Sequence, residues 1–259
     1  AEKLKGLIPD EAASAVAMLQ PIKAAPYFAH AQFSAPATIL ALPDPGGAVP
    51  YVRAMWHYAR GVAFAAGRDM DAARAEAEAI ASLERSADFK VLISAGVPAT
   101  DVLKLAQHVV QARIAQAQGD HAQAVVQFEK AAALQDTLPY MEPPYWYYPV
   151  RQSLGAALVL AGRHDEALEQ FRLSLKRAPN NGWSYYGLVE LHKARGDGLA
   201  MGLAEEQLGR TWVGDRQLLR LSIEPTGLQN DAAVGDGKVG RLHLDRRGRE
   251  HEHADHDDP

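Results

Sequence analysis

The side chains best placed to do chemistry lie in three groups. His57 stands between Trp56 and Tyr58, with Arg60 one turn on; Glu142 lies inside the run Tyr140-Met141-Glu142-Pro143-Pro144-Tyr145-Trp146-Tyr147-Tyr148-Pro149, and Arg151 follows it. If His57, Glu142 and Arg151 converge, imidazole could carry a proton while the guanidinium fork holds an anion. The competing reading of His57, in a helix among rings, is a hydrogen-bonded packing residue. A second group, Trp183, Tyr186, Glu190 and Lys193, recurs at steps of three or four and so shares one helix face. A rigid aromatic pair beside a charged pair suits recognition of a peptide or small molecule, unless both rings only close the gap between neighbouring helices. The third group is His251-x-His253-x2-His256 with Asp255, Asp257 and Asp258. Imidazole and carboxylate suit a divalent transition metal, but without fixed geometry such affinity is generic. No metal site and no cofactor is assigned.

Other chemistries are missing from the pattern. There is no Gly-x4-Gly-Lys-Ser/Thr, Gly-x-Gly-x2-Gly, Gly-x-Ser-x-Gly or His-Glu-x2-His. The 259 residues include no cysteine, which excludes disulfides, thiol catalysis and thiolate metal sites. A net charge of −5, with the short basic groups Lys3/Lys5 and Arg246/Arg247/Arg249 interleaved with acids, argues against nucleic acid. No apolar run is long enough to span a bilayer. The start, Ala1-Glu2-Lys3-Leu4-Lys5, carries no signal-peptide pattern, and the compartment of a chain expected to be soluble stays open.

Helices must position all of these groups. Apolar spacing is helical almost throughout, over 51–66, 70–84, 101–118, 121–135, 148–161, 165–177, 183–195 and 199–212. Residues 10–42 read as shorter helices broken by Pro21, Pro26 and Pro36. Turn signals at Gly67-Arg68-Asp69, Gly119-Asp120, Gly162-Arg163 and Gly196-Asp197 separate the later helices. Those glycines lie 52, 43 and 34 residues apart, and the last interval is one period of a 34-residue helix-turn-helix repeat. Ala72, Ala124 and Ala167 each follow five residues after a turn glycine, where a small residue lets two helices close. Phe128 and Phe171 come four residues later, with Glu76 in their place in the first unit. The third unit is the sharpest: Leu154-Gly155-x2-Leu158, Gly162, Ala167-x3-Phe171 and Pro179.

Over about 53–212 this pattern resembles the tetratricopeptide repeat (TPR) family. A narrower resemblance runs from about 15 to 213. It is carried by Pro50-Tyr51-x2-Ala54-Met55-Trp56-His57-Tyr58-Ala59-Arg60-Gly61, by residues 138–155 and by Asn181-Gly182-Trp183-Ser184, and it is to uncharacterised bacterial TPR proteins. Those proteins typically carry further histidine-bearing repeats upstream, which implies that this chain is the C-terminal half of a longer solenoid. The expected fold is an all-α, right-handed α-solenoid. Residues 1–50 would be degenerate helices, and 51–223 would be repeats with units at about 53–85, 105–138, 148–181 and 182–213. Residues 224–259, rich in His and Asp, would be a disordered polar tail.

A solenoid binds on the side lined by first helices. Aligned units place His57, Val109, Gln152 and Tyr186 at one inward position, and Arg113 and Glu190 at another, with Gly61 and Ala156. TPR proteins that clamp a C-terminal carboxylate carry Lys, Asn and Arg at concave positions. Here those positions hold Ala54, His57, Ala106, Val109, Pro149 and Gln152, which disfavours that role. Residues 140–149 read either as a loop forming one wall of a pocket or as an insertion sealing its own interface. The functional expectation is a non-enzymatic scaffold holding a protein or peptide segment. Its contacts would come from Trp183, Tyr186, Tyr145, Trp146 and Tyr148, with Arg113, Gln152 and Glu190 supplying polarity. The alternative is a small-molecule or metal-handling protein, enzymatic or not, with a pocket built from His57, Glu142 and Arg151 and a missing N-terminal half. Self-association through an uncapped solenoid end is a further expectation.

Overall fold

The computed structural model describes residues 7–221. The expected tail at 224–259, with His251, His253 and His256, lies outside the described residues. Within them there are twelve α-helices, one 3-10 turn (Arg216–Leu218) and no strand. Three helices lead: α1 (Asp10–Ala15), α2 (Leu19–Phe33) and α3 (Pro36–Leu40). Then come α4 (Pro50–Ala66) and α5 (Met70–Ser86), the short α6 (Lys90–Ser94), and α7 (Ala99–Gln118) with α8 (His121–Thr137). The chain continues with α9 (Val150–Leu160) and α10 (His164–Arg177), then α11 (Gly182–Arg195) and α12 (Gly198–Thr211). Each of the four intervals read from the sequence as a unit holds one helix pair.

The turns follow from local chemistry. Gly119, Gly162 and Gly196 adopt the left-handed conformation that ends a helix; in the first turn Arg68 (φ 61°) takes that conformation in place of Gly67. The second helices then start on aspartates: Asp69, Asp120 and Asp197 each accept a hydrogen bond from a first-turn backbone N–H. Proline behaves differently from expectation. Pro36 opens α3, but Pro21 falls in the first turn of α2, where its missing N–H costs nothing, and Pro26 lies in the interior of a continuous helix. Tyr27, Phe28 and Ala31 are buried on that helix, and it packs against α4, so the packing outweighs the lost hydrogen bond.

Helices pack mainly on their neighbours in the chain. Each second helix lies on its own first helix and on the first helix of the next pair, and α4 also meets α7, as α9 meets α11. One buried cluster runs from α1 to α11, and a small satellite of Val189, Ala204, Leu208 and Leu219 serves the last pair.

One core position shows how unit identity is written. In the third pair the ring of Phe171 is wedged between Gly155 and Gly187: a Cβ on either would stand 2.7 Å and 2.3 Å from it. The second pair uses Ala112 with Phe128, both fully buried. The first pair has Arg60 and Glu76 at the same two positions, and they form an ion pair at 2.7 Å. A charged pair has replaced a glycine–phenylalanine contact inside a shared scaffold.

Candidate functional site

A cleft of about 450 Å³ opens where α9, the turn before α11 and the end of α2 come together. Side-chain amides line it from all three elements: Gln32, Gln152, Asn180 and Asn181. Tyr148 and Trp183 add aromatic surface, and no charged side chain is among its lining residues.

The amides are oriented by a chain that starts at a backbone group. Ser184 N–H can only donate, and it donates to Asn181 Oδ1 at 3.0 Å, capping α11. That fixes the Asn181 amide, whose Nδ2 then donates to Gln152 Oε1 at 2.5 Å. Gln152 is 3% exposed, its oxygen is used, and its Nε2 has no protein partner. Tyr148, 5% exposed, is in the same condition at its hydroxyl. Its backbone is clamped by Gln135, which donates from Nε2 to Tyr148 O at 2.8 Å and accepts at Oε1 from Val150 N at 2.7 Å. A buried polar group without a partner costs roughly 1–3 kcal/mol. The cleft lining therefore carries two such costs, one on an amide oriented by Asn181 and one on a tyrosine whose backbone Gln135 holds.

The aromatic segment that leads into α9 turns back along the molecule. Tyr147 and Tyr58 hydroxyls meet at 2.8 Å, Tyr147 stacks on Phe28 with centroids 4.8 Å apart, and Trp146 packs edge-on to Phe28 and Tyr58. Tyr145 donates to Gly96 O at 3.0 Å. Tyr145, Trp146 and Tyr148 are all buried. A second cavity, of about 440 Å³, lies along residues 138–149 and shares Tyr147, Tyr148, Pro149 and Ala178 with the first. Burial pushes the Tyr58 and Tyr147 hydroxyls well above the ordinary tyrosine pKa, and neighbouring tyrosines add to it.

Arg113, 5% exposed, lies near this pair. Its guanidinium donates to Gln116 Oε1 at 2.8 Å and to Ser153 Oγ at 3.2 Å, and stands 5.2 Å from the Phe128 ring centre.

The other residues singled out in the sequence take separate positions. His57 Nδ1 meets Glu76 Oε2 at 2.6 Å, and the Arg60 guanidinium lies over Trp56 at 4.6 Å. Asp44 lies within electrostatic reach of His57; burial would raise its pKa, but Gly46 N–H and Arg53 outweigh that and hold it low. Glu142 accepts from the exposed Tyr140 at 2.9 Å. Arg151 donates to Gln170 at 2.5 Å and pairs with Asp136, which also meets Arg177 at 3.2 Å. His57, Glu142 and Arg151 thus serve three different sets of partners. Trp183 lines the cleft and meets the Trp212 ring edge-on at 4.9 Å, whereas Tyr186 packs on the satellite cluster of the last pair. Burial, then Glu190, raise the Tyr186 hydroxyl pKa. Glu190 pairs with Lys193 at 3.7 Å and is not among the residues lining the cleft.

Sequence reasoning passed over Glu76, Asn180 and Gln32 as working residues. Glu76 had a signal, as a carboxylate at a phenylalanine position. Asn181 had one too, preceding a helix as a cap. Gln32 had none, because only tertiary packing brings α2 to the cleft. Among the described residues no three His, Cys, Asp or Glu side chains gather as a metal site, and no helix is long and apolar enough to cross a membrane. Comparison with known proteins finds no matching family model, and no curated protein or solved structure that matches the chain.

Proposed function

We propose that this chain is a non-enzymatic α-solenoid of the TPR type that holds a protein or peptide segment against its first helices, in the cleft between α9 and α11. The neighbour-to-neighbour packing of four successive helix pairs supports the solenoid reading. The cleft supports the binding reading, and the observation that carries it is the lining. Trp183 and Tyr148 offer aromatic area, and four amides surround them with no charged side chain among them. That is the make-up of a recognition surface and lacks a group poised for acid–base or nucleophilic work. His57, Glu142 and Arg151 are each committed elsewhere, so the rival reading of a reactive pocket has no shared geometry to rest on.

A displayed peptide library panned on the full chain tests this. The expected outcome is enrichment of a sequence class that the wild type retains and a Trp183→Ala variant of unchanged helicity loses. If nothing enriches, or if everything enriched binds Trp183→Ala equally well, this site is not a peptide groove.

A further inference from the structure

The cavity beside residues 138–149 has a chemistry of its own. Two charged side chains line it, Glu142 from the loop and Arg177 from the end of α10, and both residues are exposed. We infer that this cavity takes a small zwitterion with an apolar body, its ammonium group at Glu142 and its carboxylate at Arg177. A free α-amino acid with a large apolar side chain is the simplest such molecule. This is a second site, beyond the scaffold reading above.

Three observations carry this. First, the protein leaves both charges unanswered. Arg151 and Arg177 share the single carboxylate of Asp136, the latter at 3.2 Å, so the group holds one positive charge in excess. Arg151 also donates to Gln170, whereas Arg177 makes no other hydrogen bond or ion pair among the described residues. A guanidinium with donors to spare can take a carboxylate through two parallel N–H groups. Glu142 accepts from the Tyr140 hydroxyl and has no ion-pair partner among the described residues.

Second, Glu142 and Arg177 line one cavity without pairing with each other. Opposite charges held apart in this way suit a ligand that carries both signs itself. A plain carboxylate would meet Glu142 and a plain amine would meet Arg177, a like-charge approach in either case. The interior of a peptide brings neither charge, which separates this ligand from one lying in the amide-lined cleft. Third, the cavity has apolar walls that are already fixed. Leu138, Met141, Tyr145 and Trp146 line it. Tyr145 is tied to Gly96 O at 3.0 Å, and Trp146 packs edge-on to Phe28 and Tyr58. Walls held in place lose little freedom when a ligand arrives, and a volume of about 440 Å³ is in the range of small-molecule sites.

The probes are glycine, leucine, methionine and phenylalanine, each free, N-acetylated and C-amidated, titrated onto the full chain by calorimetry. Acetylation removes the ammonium charge and amidation removes the carboxylate, while the side chain stays the same. The expected result is that the three apolar amino acids bind better than glycine. Either block should weaken them about fivefold, the upper end for a partly exposed charge pair. Two variants then assign the contacts. Glu142→Gln should lower affinity for free leucine and leave N-acetyl-leucine unchanged or tighter, since that ligand has already lost its ammonium group. Arg177→Gln should do the same with leucinamide. Each comparison is made within one variant, so damage to the fold would weaken all three forms alike and is told apart from a lost contact.

Equal binding of free and blocked forms by the wild type would overturn the inference, as would glycine bound as well as leucine. So would variants that keep the full preference for the free form, or no binding at millimolar concentration. The peptide library read through Trp183→Ala is unaffected by any of these results, because Trp183 does not line this cavity.

Discussion

At the scale of single residues, the chain's most informative choice is Glu76. A carboxylate that is 9% exposed survives because Arg60 Nε and His57 Nδ1 both donate to it. Removing one member of such a group strands the others, and for a fully buried pair that costs about 3–5 kcal/mol. The Arg60 and His57 side chains keep some contact with solvent, so Glu76→Gln is expected to cost about 1–3 kcal/mol by urea denaturation. The repeat alignment makes a sharper expectation. Arg60→Gly with Glu76→Phe imports the solution of the third pair and should be more stable than Glu76→Phe alone, because the glycine makes room for the ring. If the double variant is the less stable of the two, the two units do not share a packing site. Glu76 was legible in the sequence as an anomaly, a charge where a ring was due. Its meaning was not, because spacing along a chain does not say which side chain from the facing helix will answer it.

Among the helices, small residues decide how closely neighbours approach. Gly187 belongs to α11, yet the ring it accommodates, Phe171, belongs to α10, and Gly155 on α9 touches the same ring. Gly187→Ala would put a methyl group 2.3 Å from an aromatic carbon that is itself fully enclosed. A gain in helix propensity of about 1 kcal/mol is outweighed by overpacking of about 1–3 kcal/mol, and more where nothing can move. The thermal midpoint should fall, with Phe171→Leu in the same chain restoring part of the loss. An unchanged midpoint would mean that the ring has room to turn aside. Helix positions and turns were readable in advance because caps, turn glycines and apolar period are local signals. The error lay at Pro21, which sits in a first turn where a local rule tolerates proline, and at Pro26, where packing against α4 outweighs the local rule against it. The destination of residues 140–149 was likewise hidden: composition marked the segment as unusual, but only tertiary contact brings Tyr147 to Tyr58.

For the whole molecule, alkaline pH is an informative perturbation. Tyr58, which is buried, and Tyr147, which is half-buried, share a hydrogen bond, and each has its pKa raised by burial. The native state therefore keeps both protons where the unfolded chain, with ordinary tyrosines near 10, begins to lose them. Their contribution to stability is whole below about pH 10 and declines as pH climbs further toward the folded-state values. Unfolding followed by circular dichroism should coincide with a late, cooperative rise in tyrosinate absorbance from these two rings. In Tyr147→Phe that late rise should shrink. A gradual rise with the helices still intact would show that the pair is wetter than it looks.

The same contact has a consequence for how the chain is made. Tyr58 and Tyr147 are 89 residues apart, and the rings of Trp146 and Tyr147 pack on Phe28 and Tyr58. A ribosome adding about 5–20 residues per second finishes α4 on the order of ten seconds before it supplies that cover. Over that interval the first pair exists with an aromatic face open. The segment that closes it arrives after α8, so the early helix pairs mature only when a later part of the message has been read.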